Sequence, residues 1–214
     1  MAPGRLNLPN VITIGRILAC PAIFVLVLVP SVPLRLLAFV LFVAAGLSDL
    51  WDGYLARKHG LITDLGKLLD PLADKLLLVS TFVPFYILSH REVGVGQLPW
   101  WGELPLWVLL VIFGRELAVT GLRAVAVRQG VVISAGKSGK YKAFTQNLFA
   151  GGALLWYPLE MLSLARDWSG GFWTFWTHLH GAWIGVMLTV ALLLTVYSMA
   201  DYFWSYRRLV GVRR

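Results

Sequence analysis

Six long apolar segments run through the chain, and each approaches the length of helix that crosses a lipid bilayer, about 20 residues. They cover, approximately, residues 11–29, 34–56, 70–89, 104–127, 143–163 and 182–203. Charged residues make up only 14% of the 214 residues, whereas soluble domains contain about 25%. Neither a linker nor an internal repeat interrupts the pattern. The sequence therefore predicts one all-α integral membrane domain over residues 1–214, with six transmembrane helices.

The lysines and arginines that flank these segments fall mostly on one side of the predicted bundle. Only Arg35, Arg91 and Arg166 are expected on the opposite side. The basic side receives Arg5, Arg16, Arg57, Lys58, Lys67, Lys75, Arg128, Lys137, Lys140, Lys142, Arg207, Arg208, Arg213 and Arg214. Because basic flanks are retained in the cytoplasm, both termini are predicted to be cytoplasmic.

The N-terminal segment "APGRLNLPNVITIGR" mixes basic and polar residues with apolar ones before the first predicted span. This composition suits a short interfacial helix or turn that enters the membrane, or a flank that only sets the topology. Since Pro9 and Asn10 are able to end one element and start another, an N-cap is expected between Asn10 and Thr13.

The stretch "SDLWDGYLARKHGLITDLGKLLDPLADKLL" holds five of the 11 acidic residues. Asp49 and Asp52 are three residues apart, and Asp70 and Asp74 are four apart, so each pair shares one face of its helix. Antiparallel neighbouring helices can bring the pairs together, where four carboxylates would repel one another strongly. Two Mg²⁺ or Mn²⁺ ions, which prefer carboxylate oxygens, would neutralise them. Asp64, in the predicted loop, is expected to be solvated or to cap a helix.

Small residues and an arginine accompany the aspartate pairs. Gly53, Ala56 and Gly66 each lie within one turn of a pair, and Arg57 follows Ala56. Small side chains let a flat or phosphorylated ligand approach the backbone, and Arg57 can bind a phosphate oxygen through charge-assisted hydrogen bonds. With the acids, these residues predict a site for a metal-bound diphosphate.

A resemblance to the CDP-alcohol phosphotransferase family rests on this spacing. Eight fixed positions of the family signature are present over 26 residues, as Asp49-x2-Asp52-Gly53-x2-Ala56-Arg57-x8-Gly66-x3-Asp70-x3-Asp74. The resemblance implies that Asp49, Asp52 and Asp70 hold the two divalent metals, that Asp74 lies close to them as a further ligand, and that Asp74 is the general base. It agrees with six helices and an inward-facing loop.

The same resemblance assigns a second set of residues to the CDP moiety. These residues are Gly53, Ala56, Arg57, Gly66, Asn10 and Thr13. The metals would stabilise the CMP leaving group, while the base takes a proton from the attacking alcohol. The lipid tail of the donor explains why this chemistry is found in a membrane protein.

A group of basic residues further along the chain is a candidate site for a phosphorylated acceptor. Arg115 and Arg123 lie near one face of the fourth predicted helix, and Lys137 and Lys140 lie in the following loop. An arginine as deep as Arg115 needs a partner or a water-filled cavity, and in a purely structural interpretation Glu116 is that partner. The lysines could equally set the topology or bind anionic headgroups. We assign Arg115, Arg123, Lys137 and Lys140 to the acceptor phosphate.

The segments "RELAVTGLR", "AGKSGKYKAFTQ" and "NLPNVITIGR" are similar to the branch of the family that uses glycerol 3-phosphate as the acceptor. This similarity implies a CDP-diacylglycerol-dependent phosphatidyltransferase that produces phosphatidylglycerophosphate and CMP. It also implies a homodimer among the lipids of a bacterial inner membrane, with the active site facing the cytoplasm. A nucleic-acid partner is not expected.

Other functions stay open on the sequence alone. A phosphatidylinositol-phosphate synthase of the same fold also takes a phosphorylated acceptor, and a cardiolipin synthase is a further alternative. A divalent-metal transporter would place its acids at mid-membrane and often contain a repeated half, whereas here the acids lie near helix ends. His178 and His180 have no third metal ligand nearby in the sequence, and Asp201 is expected to pair with an arginine.

Overall fold

Each of the six apolar segments forms an α-helix in the computed structural model. The structure describes residues 7–58, 60, 63–91, 96–131 and 136–207, and within these ranges not the side chains of residues 56, 57, 67 and 137. The helices are α1 (Leu8–Leu28), α2 (Val32–Lys58), α3 (Asp64–Arg91), α4 (Leu106–Arg128), α5 (Lys137–Ala165) and α6 (Gly171–Ser205). The predicted all-α fold with six helices is confirmed.

Among the described residues, five of the helices are long and apolar enough to cross a membrane. The chain is therefore a multi-pass membrane protein. The fourth helix, α4, is the exception because it contains Arg115, Glu116, Arg123 and Arg128. Charged groups at membrane depth are costly unless they are paired or face a watery cavity.

Three helices begin six or more residues earlier than the apolar segments that predicted them. Helix α3 begins at Asp64, α5 begins at Lys137, and α6 begins at Gly171. Hydropathy detects only the part of a helix that lies in apolar surroundings, so polar turns at the helix ends are missed. As a result, Gly66 and Lys140 lie on helices rather than in loops, and Asp64 is the exposed first residue of α3.

The start of α1 differs from the expected position of its N-cap. The cap is Asn7, whose Oδ1 accepts a hydrogen bond of 3.1 Å from the backbone nitrogen of Asn10. The prediction of a cap between Asn10 and Thr13 is therefore wrong, because these residues lie inside the helix. Asn10, Thr13 and Arg16 recur every three residues and are buried together on one face of α1.

Helices α3 and α5 meet through an aromatic cluster, which we define as Phe82, Phe85, Phe149 and Tyr157. Helix α1 packs along α2 and α3, α5 packs along α6 and α2, and α4 packs on α6. The ring centroids of Phe82 and Phe149 lie 5.3 Å apart, and those of Phe85 and Tyr157 lie 5.6 Å apart. Because this buried cluster joins α3 to α5, it sets the distance between the acidic residues of α3 and the basic residues of α5.

Candidate active site

A buried arginine, Arg16 of α1, lies at the centre of the four aspartates. Its Nη1 contacts Oδ1 of Asp49 and lies 3.3 Å from Oδ1 of Asp74. Its Nη2 lies 3.3 Å from Oδ2 of Asp52 and 3.9 Å from Oδ1 of Asp70. The structure thus brings together the pairs carried by α2 and α3. Charge counting places Arg16 on the basic side of the bundle but does not assign it to the site. The only signal for it in the sequence is its spacing from Asn10 and Thr13, which puts the three residues on one polar face of α1.

The four aspartates differ in their exposure to solvent. The side chain of Asp52 is only 5% exposed, whereas those of Asp49, Asp70 and Asp74 are 44%, 52% and 66% exposed. The three exposed carboxylates also line a cavity. A substrate can therefore reach Asp49, Asp70 and Asp74, while Asp52 is enclosed by protein.

Thr13, one turn before Arg16, links the two aspartate pairs a second time. Its Oγ1 lies 3.2 Å from Oδ2 of Asp52 and 3.1 Å from Oδ1 of Asp70. It also lies 3.1 Å from the backbone carbonyl oxygen of Pro9. Because a hydroxyl has one proton to donate, it serves one of these acceptors at a time. Thr13 therefore lies among the carboxylates, and its predicted contact with CDP stays a prediction.

Asn10 and Gly66 lie against each other at the start of α1 and α3. The hydroxyl of Thr63 donates to Oδ1 of Asn10 at 3.0 Å and accepts from the backbone nitrogen of Gly66 at 3.0 Å. A Cβ atom on residue 66 would lie 3.0 Å from Oδ1 of Asn10 and 3.3 Å from Oγ1 of Thr63, so these two side chains would have to shift by a few tenths of an ångström to admit a larger residue. Nδ2 of Asn10 is buried without a hydrogen-bond partner among the described residues, and it can donate to a ligand.

The other predicted CDP-binding residues lie on α2. Gly53 is half-buried and directly follows Asp52. The backbone of residues 56 and 57 is helical, but the side chains of Ala56 and Arg57 lie outside the described part of the structure. Their predicted contacts with CDP stay predictions.

The carboxylates fit a divalent cation by their chemistry but are arranged around Arg16. In the described ranges, no group of three His, Cys, Asp or Glu side chains is arranged to hold a metal ion. Arg16 forms hydrogen bonds to one oxygen each of Asp49, Asp52 and Asp74. The second oxygens of these carboxylates make no hydrogen bond to described residues, and such oxygens are the ligands that Mg²⁺ and Mn²⁺ prefer. The donor set therefore suits these ions.

A cavity of about 520 Å³ opens beside the aspartates. Of the predicted acceptor-binding residues, Arg115, Arg123 and Lys140 line it, while the side chain of Lys137 lies outside the described part of the structure. Its other polar lining residues include Asp49, Asp70, Asp74, Lys75, Glu116, Lys142, Gln146 and Tyr202. The acids of α2 and α3 and the basic residues of α4 and α5 thus face one space.

Two buried cations in the wall of this cavity share one carboxylate. Nη1 of Arg115 lies 3.1 Å from Oε1 of Glu116, and Nζ of Lys142 contacts the same oxygen. Nη2 of Arg115 donates a hydrogen bond of 2.5 Å to Oγ of Ser198. The side chains of Arg115 and Lys142 are only 7% and 5% exposed. Arg115 therefore has the local partner expected from the sequence and also faces the cavity, whereas Lys142 is a partner that adjacency in sequence does not reveal.

Tyr202 of α6 holds the two arginines of α4 in place. The centre of its ring lies 5.4 Å from Cζ of Arg115 and 5.5 Å from Cζ of Arg123. Its hydroxyl accepts hydrogen bonds from Nη2 of Arg123 at 2.8 Å and from the backbone nitrogen of Gly136 at 2.9 Å. Each cation–π contact contributes about 0.5–2 kcal/mol, depending on desolvation. Tyr202 was not among the predicted site residues, because no motif in the sequence connects it to α4.

Asp201 and the two histidines have structural partners. Asp201 accepts a hydrogen bond of 2.7 Å from Oγ of Ser138. Among the described residues it forms no ion pair with an arginine, but Arg208, Arg213 and Arg214 lie outside these residues, so the predicted pairing stays a prediction. Nε2 of His180 lies 3.1 Å from the carbonyl oxygen of Gly152. Nδ1 of His178 lies 2.7 Å from the carbonyl oxygen of Thr174. Asp201 and His180 thus connect α6 to α5, and His178 forms its contact within α6.

A larger, apolar groove of about 760 Å³ runs between α2, α5 and α6. Its lining includes Phe39 and Phe42 of α2, Leu148 of α5 and Met187 of α6. Asn147 lines both the groove and the charged cavity, so the two spaces are adjacent. Periodicity predicted the helices but not the gap between them.

Comparison with known proteins gives this arrangement a family. Residues 6–197 match the family model described as CDP-alcohol phosphatidyltransferase. A CDP-diacylglycerol–glycerol-3-phosphate 3-phosphatidyltransferase of Bacillus subtilis is 39% identical over 171 residues, which cover 73% of this chain and 81% of the relative. A probable phosphatidylglycerophosphate synthase of Mycobacterium tuberculosis is 35% identical over 92% of this chain and 79% of the relative.

A third relative extends the similarity over nearly the whole of both proteins. It is a CDP-diacylglycerol–glycerol-3-phosphate 3-phosphatidyltransferase of Rickettsia typhi, 33% identical over 92% of this chain and 95% of the relative. The region that matches the family model, residues 6–197, contains α1 to α5 and most of α6. It includes the aspartates of α2 and α3 and the basic residues of α4 and α5. The chain belongs to the CDP-alcohol phosphatidyltransferase family.

Proposed function

We propose that this enzyme transfers the phosphatidyl group of CDP-diacylglycerol to glycerol 3-phosphate, forming phosphatidylglycerophosphate and CMP. The observation that carries the proposal is the single cavity that Asp74 shares with Arg115 and Arg123. A general base and a binding site for an anion are the two groups that a phosphorylated alcohol needs when it attacks a phosphorus atom. The names of the relatives from Bacillus subtilis and Rickettsia typhi support this choice of substrates.

In this proposal Asp49, Asp52, Asp70 and Asp74 hold two Mg²⁺ or Mn²⁺ ions. The chemistry that such ions supply when bound is neutralisation of the diphosphate and stabilisation of the CMP leaving group. Asn10, with its free buried amide nitrogen, donates to the CDP moiety. The remaining residues assigned to CDP are Thr13, Gly53, Ala56, Arg57 and Gly66.

Asp74 acts as the general base. Its carboxylate lines the cavity and is the most exposed of the four, so an acceptor hydroxyl can approach it. The hydroxyl oxygen forms a bond to the phosphorus that carries the diacylglycerol, and the bond from that phosphorus to the CMP oxygen breaks. The hydroxyl proton passes to Asp74, and CMP leaves with the bonding electron pair.

Arg115, Arg123, Lys137 and Lys140 bind the phosphate of the acceptor. The guanidinium of Arg123 is held by Tyr202, and that of Arg115 by Glu116 and Ser198, so both are positioned before the ligand arrives. Such preorganisation reduces the entropy lost on binding. Serine carries one carboxylate and no net charge, so it would neutralise these cations less well than the phosphate of glycerol 3-phosphate does.

The proposal places the enzyme in a bacterial inner membrane as a homodimer, with the cavity facing the cytoplasm. The excess of lysine and arginine on one side of the bundle supports this orientation. The apolar groove adjacent to the cavity suits the acyl chains of a lipid donor. The lipids of the membrane supply the surroundings that the exposed apolar residues require.

The test is CMP release by purified protein in detergent, with CDP-diacylglycerol and Mg²⁺ and one acceptor at a time. Glycerol 3-phosphate, inositol phosphate, phosphatidylglycerol and serine are compared at equal concentration. CMP release with glycerol 3-phosphate alone is the expected result. Release with inositol phosphate or phosphatidylglycerol instead would keep the mechanism but replace the acceptor, and release with none of the four would contradict the proposal.

The role of the basic residues is tested by Arg123→Gln. We expect the KM for glycerol 3-phosphate to rise by about 10- to 100-fold, since one charge-assisted contact contributes about 1.5–3 kcal/mol, while the KM for CDP-diacylglycerol stays the same. The matched control is Arg128→Gln, which changes an exposed arginine near the end of the same helix that does not line the cavity. An equal rise in both KM values, or a rise in the control, would argue against phosphate binding by Arg123.

A further inference from the structure

We infer that Arg16 is a positioning residue for the metal ions, because it holds the carboxylates by one oxygen each and leaves their other oxygens for the cations. The inference rests on the proposed metal-dependent reaction. It concerns a residue outside the aspartate signature, on a helix that contributes no carboxylate to the site.

The geometry of the guanidinium supports this role. A guanidinium carries several N–H donors in one rigid plane, and here two of its nitrogens reach Asp49, Asp74 and Asp52 by hydrogen bonds. Asp70 is reached at 3.9 Å. Since Asp49 lies on α2 and Asp74 on α3, one side chain fixes the relative position of these helices at the level of the carboxylates.

Burial and charge explain why the cluster depends on this residue. The side chain of Arg16 is 1% exposed, so solvent does not screen its interactions. Among the described residues, no other cation forms an ion pair with any of the four aspartates. Without Arg16, four carboxylates would lie close together with no described cation between them, and their mutual repulsion would move them apart.

A competing role for Arg16, in which the guanidinium takes the place of a metal ion, predicts a different result. If the guanidinium only occupied the place of a cation, it would compete with the metal, and removing it would strengthen metal binding. If it positions the carboxylates, removing it weakens metal binding, although one positive charge has been lost. Lysine at this position separates geometry from charge, because it keeps the charge but cannot bridge several carboxylates with a planar fork.

The experiment measures Mn²⁺ binding without substrates, by electron paramagnetic resonance of free Mn²⁺ in detergent. Wild-type protein is compared with Arg16→Gln, Arg16→Lys and Arg35→Gln. Arg35 is the matched control: it is a 1% exposed arginine that binds the carbonyl oxygens of Val27 and Val29 at the other end of the bundle. We expect both Arg16 variants to bind Mn²⁺ about 10- to 100-fold more weakly than wild type, and Arg35→Gln to bind it as wild type does.

Thermal unfolding with and without Mn²⁺ identifies the folded variants and gives a second measure of binding. If Arg16→Gln does not fold, Arg16→Lys decides the question. Unchanged or tighter binding in a folded Arg16 variant, or equal weakening in Arg35→Gln, overturns the inference. Failure of the wild-type protein to bind Mn²⁺ contradicts both the proposed metal-dependent function and the inference. This outcome is seen in the wild-type protein alone, whereas failure of the inference by itself is seen only when a variant is compared with a wild-type protein that binds Mn²⁺.

Discussion

Asp74→Asn is expected to reduce the rate of CMP release by a factor of about 10²–10⁴, the usual contribution of a general base. An amide cannot take the proton of the acceptor hydroxyl, and it also removes one negative charge from the metal ligands. The side chain changes little in volume and is 66% exposed, so the fold should not change. The measurement is the initial rate of CMP release with CDP-diacylglycerol, glycerol 3-phosphate and Mg²⁺ in detergent.

Asp64→Asn is the control for this variant. Asp64 is on the same helix as Asp74 and is exposed, but it does not line the cavity. Its substitution makes the same change of chemistry and should leave the rate at the wild-type level. An Asp74→Asn enzyme with normal turnover would exclude Asp74 as the base, and an equal loss in both variants would point to a general effect of negative charge on α3.

The second large effect is expected on stability, from Glu116→Gln. This change keeps an oxygen that Arg115 and Lys142 can contact but removes the negative charge that compensates these two buried cations. Removing one partner of a buried ion pair costs about 3–5 kcal/mol, because the remaining charge is left desolvated and uncompensated. The free energy of unfolding, measured by titration with a denaturing detergent, should fall by this amount.

A double-mutant cycle tests whether the loss comes from the pair. Lys142→Met removes the amine and fills the same space with an apolar chain. In the double variant with Glu116→Gln, less buried charge is left unpaired, so the double variant should be destabilised by less than the sum of the single variants. Additive losses would show that Glu116 and Lys142 do not stabilise each other.

The sequence predicted the helices because an apolar segment of bilayer length has few other ways to satisfy its backbone than as a helix. It did not predict where the helices end. The polar turns from Asp64 to the aspartates of α3 and from Lys137 to Lys142 carry no hydropathy signal, although they hold part of the site. The cap at Asn7 was missed because Pro9 suggested a break, whereas proline is well tolerated in the first turn of a helix.

The acidic half of the site could be predicted because each aspartate pair repeats at helical spacing within one short stretch. Arg16 could not be placed there by the same reasoning, since charge counting gives the side of the membrane on which a residue lies and not the side chains that it contacts. The pairing of Lys142 with Glu116 spans 26 residues and two helices. Nothing in the local sequence marks such a pair, and only the fold, in which α4 and α5 both pack on α6, reveals it.

The aromatic cluster between α3 and α5 has a consequence for the size of the alcohol that the enzyme accepts. In the proposed reaction the base belongs to α3, and the cations that bind the phosphate belong to α4 and α5. The distance between hydroxyl and phosphate in the acceptor would then have to match the separation of these helices. Phe82, Phe85, Phe149 and Tyr157 keep that separation constant from a position outside the cavity. If the proposed site is correct, these four residues influence which acceptor fits although they do not line the cavity. A change of ring size there is then expected to alter the length of alcohol that the enzyme selects.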